Sequence, residues 1–268
     1  MGIGVRFRLS LRRSGGAWLI ACGAIASSSA AASADNTYLR VGLGFDWSQS
    51  AVFADRDCNS GAPPALFGCS SGNDSLPIGA YGTFGMSSAF EFAVGFRAMP
   101  SVRFEAALSL RHTFDFIGDA NFNNVDDPQP VSATLSQASL MGWAYVDFAS
   151  TNLPMQPFIG VGVGVSRNAL GAVLYEFPTL TQPAWSETPP GTRVSPAFGF
   201  AIGLAREVSH GMTIELAYRH INYGRVATDP GLIHQRRGGP EISFPIDETW
   251  TRLVANAVMF SLRWGMGR

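Results

Sequence analysis

The chain has 268 residues, of which 46% are hydrophobic and only 15% charged, and 30 are glycine. This apolar content, with a formal net charge of −1, excludes a disordered chain. All 19 basic residues are arginine, and the only tight basic cluster beyond the N-terminus is the pair Arg236 and Arg237, so no nucleic-acid partner is expected.

The N-terminus predicts an export signal. Residues 1–13 carry four arginines and no acid, and the apolar run that follows is shorter than the roughly 20 residues of a membrane-spanning helix. Ala32 and Ala34 then provide the small residues of a signal-peptidase site. We therefore predict a cleavable signal peptide over residues 1–34 and a mature chain over residues 35–268.

The three cysteines fit an exported protein. Cys58 and Cys69 lie eleven residues apart in a stretch rich in Gly, Pro, Ser and Asn, and an oxidising compartment would join them as a disulfide. A metal site is the weaker alternative, because no histidine or third cysteine is near. Cys22 falls within the signal, in a sequence that resembles a lipoprotein cleavage box, so its lipidation is a second interpretation.

From residue 35 onward, large apolar residues alternate with small or charged ones, which is the period of a β-strand. His112 is the one polar break in the apolar row of the third segment. Eight segments show this pattern, and they cover residues 39–48, 90–97, 102–116, 140–148, 159–165, 197–205, 214–219 and 254–264.

The connections between these segments alternate in length. Those at residues 99–101, 149–156 and 207–211 are short, whereas those after the first, third, fifth and seventh segments are long. A soluble β-sandwich, the alternative fold, has no reason for this alternation. We therefore predict an all-β fold: a closed, eight-stranded, antiparallel up-and-down transmembrane barrel in the outer membrane, with short periplasmic turns and long external loops.

Lipid would cover the apolar row of such a barrel, and the opposite row would face the interior. Eight strands leave a lumen only just wide enough for side chains, so the inward charges are expected to form a salt-bridged plug. A narrow polar path for ions or small solutes is the alternative. The predicted interior charge network comprises Arg40, Asp46, Glu91, Arg97, Arg103, Glu105, Arg111, Asp115, Glu215, Arg219 and Arg263.

Aromatic residues near the ends of the segments are expected to lie at the two membrane interfaces. These residues are Tyr38, Trp47, Phe148, Phe158, Tyr223 and Trp264.

Several short segments carry a family likeness. They are Gly95-Phe96-Arg97 with Val102-Arg103-Phe104-Glu105, Ala144-Tyr145-Val146-Asp147-Phe148 with Pro157-Phe158-Ile159-Gly160-Val161-Gly162-Val163-Gly164, and Ala217-Tyr218-Arg219-His220. In order and spacing they resemble the opacity-type, OmpA-like eight-stranded β-barrel proteins of Gram-negative outer membranes. The resemblance covers nearly all of residues 37–264. One departure is that four residues follow Trp264, whereas such barrels usually end on an aromatic that the assembly machinery reads.

The resemblance implies a role without enzymatic activity or a cofactor, in envelope integrity and in adhesion-like surface interaction through the external loops. Its partners would be outer-membrane lipid and lipopolysaccharide, the barrel-assembly machinery, and a host or extracellular ligand at the loops. A lipid-modifying enzyme is a further alternative. His220 lies where lipid A deacylases on similar barrels have a histidine, but Asn222 stands at the position of their serine nucleophile.

Overall fold

The computed structural model describes residues 36–123, 129–148, 154–180 and 184–266. The predicted signal peptide, residues 1–34, and the alternative lipidation site Cys22 lie outside these residues. In the part of the chain that is described, no helix is long and apolar enough to cross a membrane.

The described residues form fourteen β-strands. In chain order they are β1 (Thr37–Ser48), β2 (Ser50–Asp55), β3 (Ala80–Thr83), β4 (Met86–Met99), β5 (Val102–Ala120), β6 (Gln129–Asp147), β7 (Gln156–Leu170), β8 (Leu174–Glu176), β9 (Trp185–Glu187), β10 (Gly191–Ser209), β11 (Met212–Ala227), β12 (Gly231–Arg236), β13 (Ile242–Ile246) and β14 (Thr249–Gly265).

Eight long strands form a closed ring. Antiparallel pairing runs from β1 through β4, β5, β6, β7, β10 and β11 to β14. β14 then pairs with β1, from Gly265 opposite Tyr38 to Ala255 opposite Ser48. The predicted all-β, antiparallel arrangement of eight strands is confirmed.

The two ends of the ring differ. At one end, here called the turn end, the strands are joined by residues 100–101, 148–155 and 210–211. At the other, the loop end, β2 and β3 fill the space between β14 and β5, while β8, β9, β12 and β13 extend the sheet from the edge of β6. The long connections therefore carry strands of their own and lie at the same end.

Side chains on the two faces of the ring are distributed in the opposite way to those of a water-soluble protein. Phe45 and Val163, which point outward, are 62% and 70% exposed, whereas Arg40 and Arg103, which point inward, are almost fully buried. The exposed apolar surface is contiguous over the ring and includes Leu43, Phe90, Phe92, Phe96, Phe104, Leu108, Leu110, Leu140, Val161, Phe198, Phe200, Ile202, Leu216 and Phe260.

A β-bulge in β5 corrects one prediction. The pairing of β5 with β6 shifts register between Arg111 and Phe114. An extra residue moves every later side chain on the strand to the other face. Phe114 and Phe116 therefore point into the ring and are fully buried, and Asp115, predicted to face the interior, is exposed on the outside.

The predicted long loop after the third strand is also corrected. β5 and β6 remain paired as far as Ala120 opposite Gln129, so the connection between them is only residues 121–128. Beyond the bulge most outward side chains of this hairpin are polar, as at Ser132 and Thr134, with Ile117 as an exception, and most inward ones are apolar, as at Leu135. The outer face of the hairpin thus changes at the bulge from apolar to mostly polar.

Candidate functional site

The interior of the ring holds a cluster of paired charges. In the half of the interior nearer the turn end, the central member of this cluster is Arg40 on β1. Its Nη2 atom is 2.6 Å from Oε2 of Glu105, on β5, and 2.7 Å from Oε1 of Glu91, on β4. The hydroxyl of Tyr38 donates a hydrogen bond of 2.9 Å to the other oxygen of Glu105. One guanidinium thus joins the carboxylates of two neighbouring strands.

Closer to the turn end, Arg103 of β5 forms ion pairs with three acidic side chains. Its Nη1 atom lies 2.6 Å from Glu105, and its Nε atom donates a hydrogen bond of 3.1 Å to Asp147 on β6. Glu215, on β11, lies 3.3 Å from Arg103 and 2.7 Å from Arg263 on β14. Ion pairs therefore connect strands on opposite sides of the ring.

Nearer the loop end, Arg219 of β11 donates a hydrogen bond of 2.7 Å to Glu91. Arg111, the last residue before the bulge, forms an ion pair with Asp46 and donates a hydrogen bond of 3.0 Å to Gln137. The Tyr223 hydroxyl donates to the same Asp46 oxygen. The network therefore extends along the interior as far as the bulge.

Most of the predicted network lies inside the ring, with two exceptions. Asp115 is outside, as described above. Arg97 lies at the turn end, partly exposed, where its Nη1 atom contacts Asp147 at 3.2 Å and the backbone oxygen of Pro100 at 3.1 Å. The other nine residues are buried: Arg40, Asp46, Glu91, Arg103, Glu105, Arg111, Glu215, Arg219 and Arg263.

The sequence prediction missed one acid of the network. Asp147 is buried between Arg97 and Arg103, and it lies on the same row of β6 as Trp143 and Tyr145. That alternation could have identified it. With Asp147 included, five buried arginines face five buried carboxylates, so this described part of the interior is close to charge-neutral. Such neutrality is what lets charges remain out of water.

Aromatic rings fill the space around the arginines. The guanidinium carbon of Arg103 lies 4.2 Å from the centre of the Tyr145 ring, and that of Arg219 lies 4.8 Å from the Trp143 ring. A Cβ atom on Gly162 of β7 would come within 2.6 Å of Trp143. The repeated glycines of β7 therefore make room for the rings of β6.

The predicted interfacial aromatics divide between the two faces. Trp47, Phe148 and Trp264 are exposed on the outside of the ring, as expected. Tyr38, Phe158 and Tyr223 are buried inside, which corrects the prediction. Each of the three lies an even number of residues from an inward-pointing side chain on its own strand, and alternate residues of a strand point to the same face. Their place in this alternation, and not their position near a strand end, therefore turns them inward.

An aromatic cluster fills the interior beyond the bulge. Phe53 of β2, Phe116 of β5 and Phe84, which precedes β4, are fully buried. The centre of the Phe116 ring lies 5.0 Å from that of Phe53 and 5.2 Å from that of Phe84, in edge-on contacts. These residues belong to one apolar core that includes Leu135 of β6 and Leu253 of β14. We call Phe53, Phe84 and Phe116 the aromatic plug.

The first connection is held together at the loop end by two features. The predicted disulfide between Cys58 and Cys69 is confirmed. The carboxylate of Asp55 accepts hydrogen bonds from the backbone N–H groups of Leu66, Phe67 and Gly68. Burial raises the pKa of Asp55 above its ordinary value despite these three bonds.

His220 lies on the outer face of β11. Its Nδ1 atom is 2.9 Å from the side-chain oxygen of Asn256, which also accepts a hydrogen bond from the Tyr218 hydroxyl. The imidazole stacks on Phe200 at 5.3 Å. The partners of His220 are thus an amide and an aromatic ring, as in an interfacial contact. In the described part of the chain, no three His, Cys, Asp or Glu residues are placed to hold a metal ion.

No protein-family model matches the chain, and no curated protein matches it. Among solved structures it is similar to Neisserial surface protein A, with 13% identity, coverage of 85% of this chain and 96% of that one, and a TM-score of 0.38. It is also similar to the outer membrane protein OprG from Pseudomonas aeruginosa (11% identity, 84% and 96% coverage, TM-score 0.39). The outer membrane protease OmpT from Escherichia coli gives 9% identity, 87% and 97% coverage and a TM-score of 0.36.

Two of these three are named as outer-membrane proteins. The evidence for the closed ring is the set of strand pairings within this chain.

Proposed function

We propose that the chain is an outer-membrane β-barrel with a closed lumen, which serves envelope integrity and surface interaction and has no enzymatic activity. The observation that carries this proposal is the inverted distribution of side chains, with a contiguous apolar outer surface and a charge-paired interior. Only lipid covers such an outer surface favourably, and a closed ring satisfies every backbone group within the bilayer.

The orientation follows from the two ends of the ring. Barrels of this kind place short turns in the periplasm and long loops outside the cell. The turn end has connections as short as residues 100–101, and the loop end carries six extra strands. We therefore assign the turn end to the periplasm and the loop end to the cell exterior.

A closed lumen is supported by two layers of side chains. Ion pairs cross the interior in the turn-end half, and the aromatic plug follows beyond the bulge. A conducting channel, the alternative function, requires a continuous polar path. Fully buried Phe53 and Phe116 oppose such a path.

Surface interaction is supported by the hairpin of β12 and β13 at the loop end. On one face of this hairpin Leu232 is 54% exposed, and Pro245, which pairs with it, and Arg236 are exposed as well. Apolar side chains held outward on an exterior hairpin are typical of a contact surface for another molecule.

Electrophoresis of the protein from isolated outer membranes tests the barrel directly. We expect the unboiled protein to migrate faster than the boiled protein, because a closed barrel resists detergent. Planar-bilayer recording of the same preparation should give no single-channel conductance. Absence from the membrane fraction contradicts the barrel, and a steady single-channel conductance contradicts the closed lumen.

A deletion strain tests the two proposed roles separately. Full-length protein should restore resistance to detergent and restore cell adherence and self-aggregation. A variant in which residues 232–245 are replaced by a Gly-Ser linker should restore only the detergent resistance. Equal adherence with both proteins contradicts the role of the hairpin, and altered lipid acyl chains that disappear in His220→Ala contradict the non-enzymatic assignment.

A further inference from the structure

A groove runs across the outer wall of the ring near the bulge. Five outward residues on β1, β4, β5, β6 and β7 are paired in one continuous row: Leu43, Phe90, Leu110, Ala138 and Arg167. With Ser88, His112 and Ser136 on the loop-end side, they line a groove of about 460 Å³. The row spans about 19 Å, at the usual separation of 4.8 Å between strands.

Local features of the sequence create this hollow. Ala138 is a small side chain between Leu110 and Arg167, so the middle of the row is depressed. The bulge begins directly beside it, and the hydroxyl of Ser136 donates a hydrogen bond of 3.0 Å to the backbone oxygen of His112. The groove is therefore built from paired strand residues rather than from a loop.

Arg167 stands alone among apolar neighbours. It pairs directly with Ala138 on β6 and Val194 on β10, and Val165 and Ala169 are the next outward residues on its own strand. Among the described residues it has neither a hydrogen-bond nor an ion-pair partner, and its side chain is exposed. An arginine on the lipid-facing wall is unfavourable unless its guanidinium reaches a polar partner at the membrane surface.

The groove lies at the level where such a partner is found. Moving toward the loop end, the outward side chains change from Leu110 to His112 on β5 and from Ala138 to Ser136 on β6. On β5 and β6 the wall thus becomes polar at this height, as expected at the level of lipid headgroups, whereas Phe45 keeps it apolar on β1. A guanidinium there can bind a phosphate through two parallel hydrogen bonds, and the imidazole of His112 can donate another.

We propose that this groove binds a phosphorylated, multiply acylated lipid of the lipid A type, with a phosphate at Arg167 and His112 and acyl chains on Leu43, Phe90 and Leu110. The proposal rests on the proposed outer-membrane location. The width of the row, five strands, accommodates several acyl chains side by side, which favours lipid A over a phospholipid with two chains. The external position of the groove places it in the leaflet where lipopolysaccharide resides.

The test uses protein refolded into phosphatidylcholine bilayer discs, with binding measured by native mass spectrometry. The probes are diphosphorylated lipid A, enzymatically dephosphorylated lipid A and phosphatidylglycerol. We expect the wild type to bind the diphosphorylated form best. Arg167→Ala should weaken that binding by about tenfold or more, the loss expected for a charged hydrogen-bonded contact, and Arg167→Lys should restore part of it.

Arg206→Ala is the matched control, because Arg206 is also exposed on the outer face but lies at the turn end of β10. Its binding should equal that of the wild type. Equal loss in both variants, or equal binding of the dephosphorylated form, overturns the phosphate site, and equal binding of phosphatidylglycerol overturns the choice of lipid A. Failure to enter the discs at all contradicts the proposed membrane location instead, so the two failures are distinguishable.

Discussion

Arg40 and Glu105 form an ion pair of 2.6 Å inside the ring, and each is almost completely shielded from solvent. The carboxylate also accepts hydrogen bonds from Tyr38 and Arg103. Neither charge has access to water that could replace its partner. Each of the two buried charges therefore needs the other to compensate it.

Replacing Glu105 by glutamine should strongly destabilise the protein. The change leaves Arg40 and Arg103 without part of their compensation, and breaking a buried pair typically costs about 3–5 kcal/mol. Denaturant unfolding in detergent micelles measures the loss. Glu176→Gln, at an exposed glutamate on β8, is the control and should leave the unfolding midpoint unchanged; equal stability of the two variants would contradict the network.

The bulge in β5 gives a paired prediction for two aspartates. Asp46→Asn removes the charge that faces buried Arg111, so it should lower the free energy of unfolding by several kcal/mol. Asp115→Asn changes an exposed residue and should stay within about 0.5 kcal/mol of the wild type. The same unfolding experiment compares them, and the reverse order would place Asp115 inside.

The aromatic plug predicts opposite outcomes at neighbouring positions. Phe116→Ala removes a fully buried ring and should cost about 3–5 kcal/mol. Ile117→Ala, one residue later, removes a side chain that is 69% exposed, so its cost should be much smaller. A similar decrease in the free energy of unfolding for both variants would show that Phe116 and Ile117 do not point to opposite faces of β5.

Gly162 should not tolerate even one methyl group. An alanine there would press its Cβ against the Trp143 ring, and overpacking typically costs about 1–3 kcal/mol. The near-ultraviolet circular dichroism of the tryptophan should change together with the stability. Gly61→Ala provides the comparison, because no atom lies within 4 Å of its added Cβ, and an unchanged spectrum in Gly162→Ala would refute the contact.

Removal of the disulfide should affect the first connection and not the ring. Closing a loop of this length stabilises it by roughly 3 kcal/mol in the chain-entropy model. In Cys58→Ser with Cys69→Ser, we expect faster proteolysis within residues 56–79 and the same heat-dependent mobility. Loss of the fast-migrating form would instead tie the disulfide to ring closure.

The sequence predicted the interior best where the alternation is uninterrupted. On β1, and on β4 as far as Arg97, the period of two holds, so parity alone places Arg40, Asp46 and Glu91 correctly. On β5 the alternation fails after Arg111. His112, a polar residue in an apolar row, is the only sign of this failure in the sequence. A single polar residue does not show that β5 has one extra residue relative to β6.

Other features depend on contacts that lie far apart in the sequence. β8 and β9 have only three residues each, too few for a periodic signal, and they exist because β6 and β12 pair with them. The groove at Arg167 likewise needs five strands to be aligned in register. Local alternation cannot supply that alignment.

The seam between β1 and β14 has a consequence for the order of assembly. Arg40 donates a hydrogen bond to Ser261, which is 221 residues later in the chain. Contacts of such high sequence separation form slowly, because much of the chain must be organised before they are gained. Until the last strand docks on the first, the buried charges remain accessible to water. The neutral interior is therefore completed only when β14 pairs with β1, which makes this pairing a late step of folding.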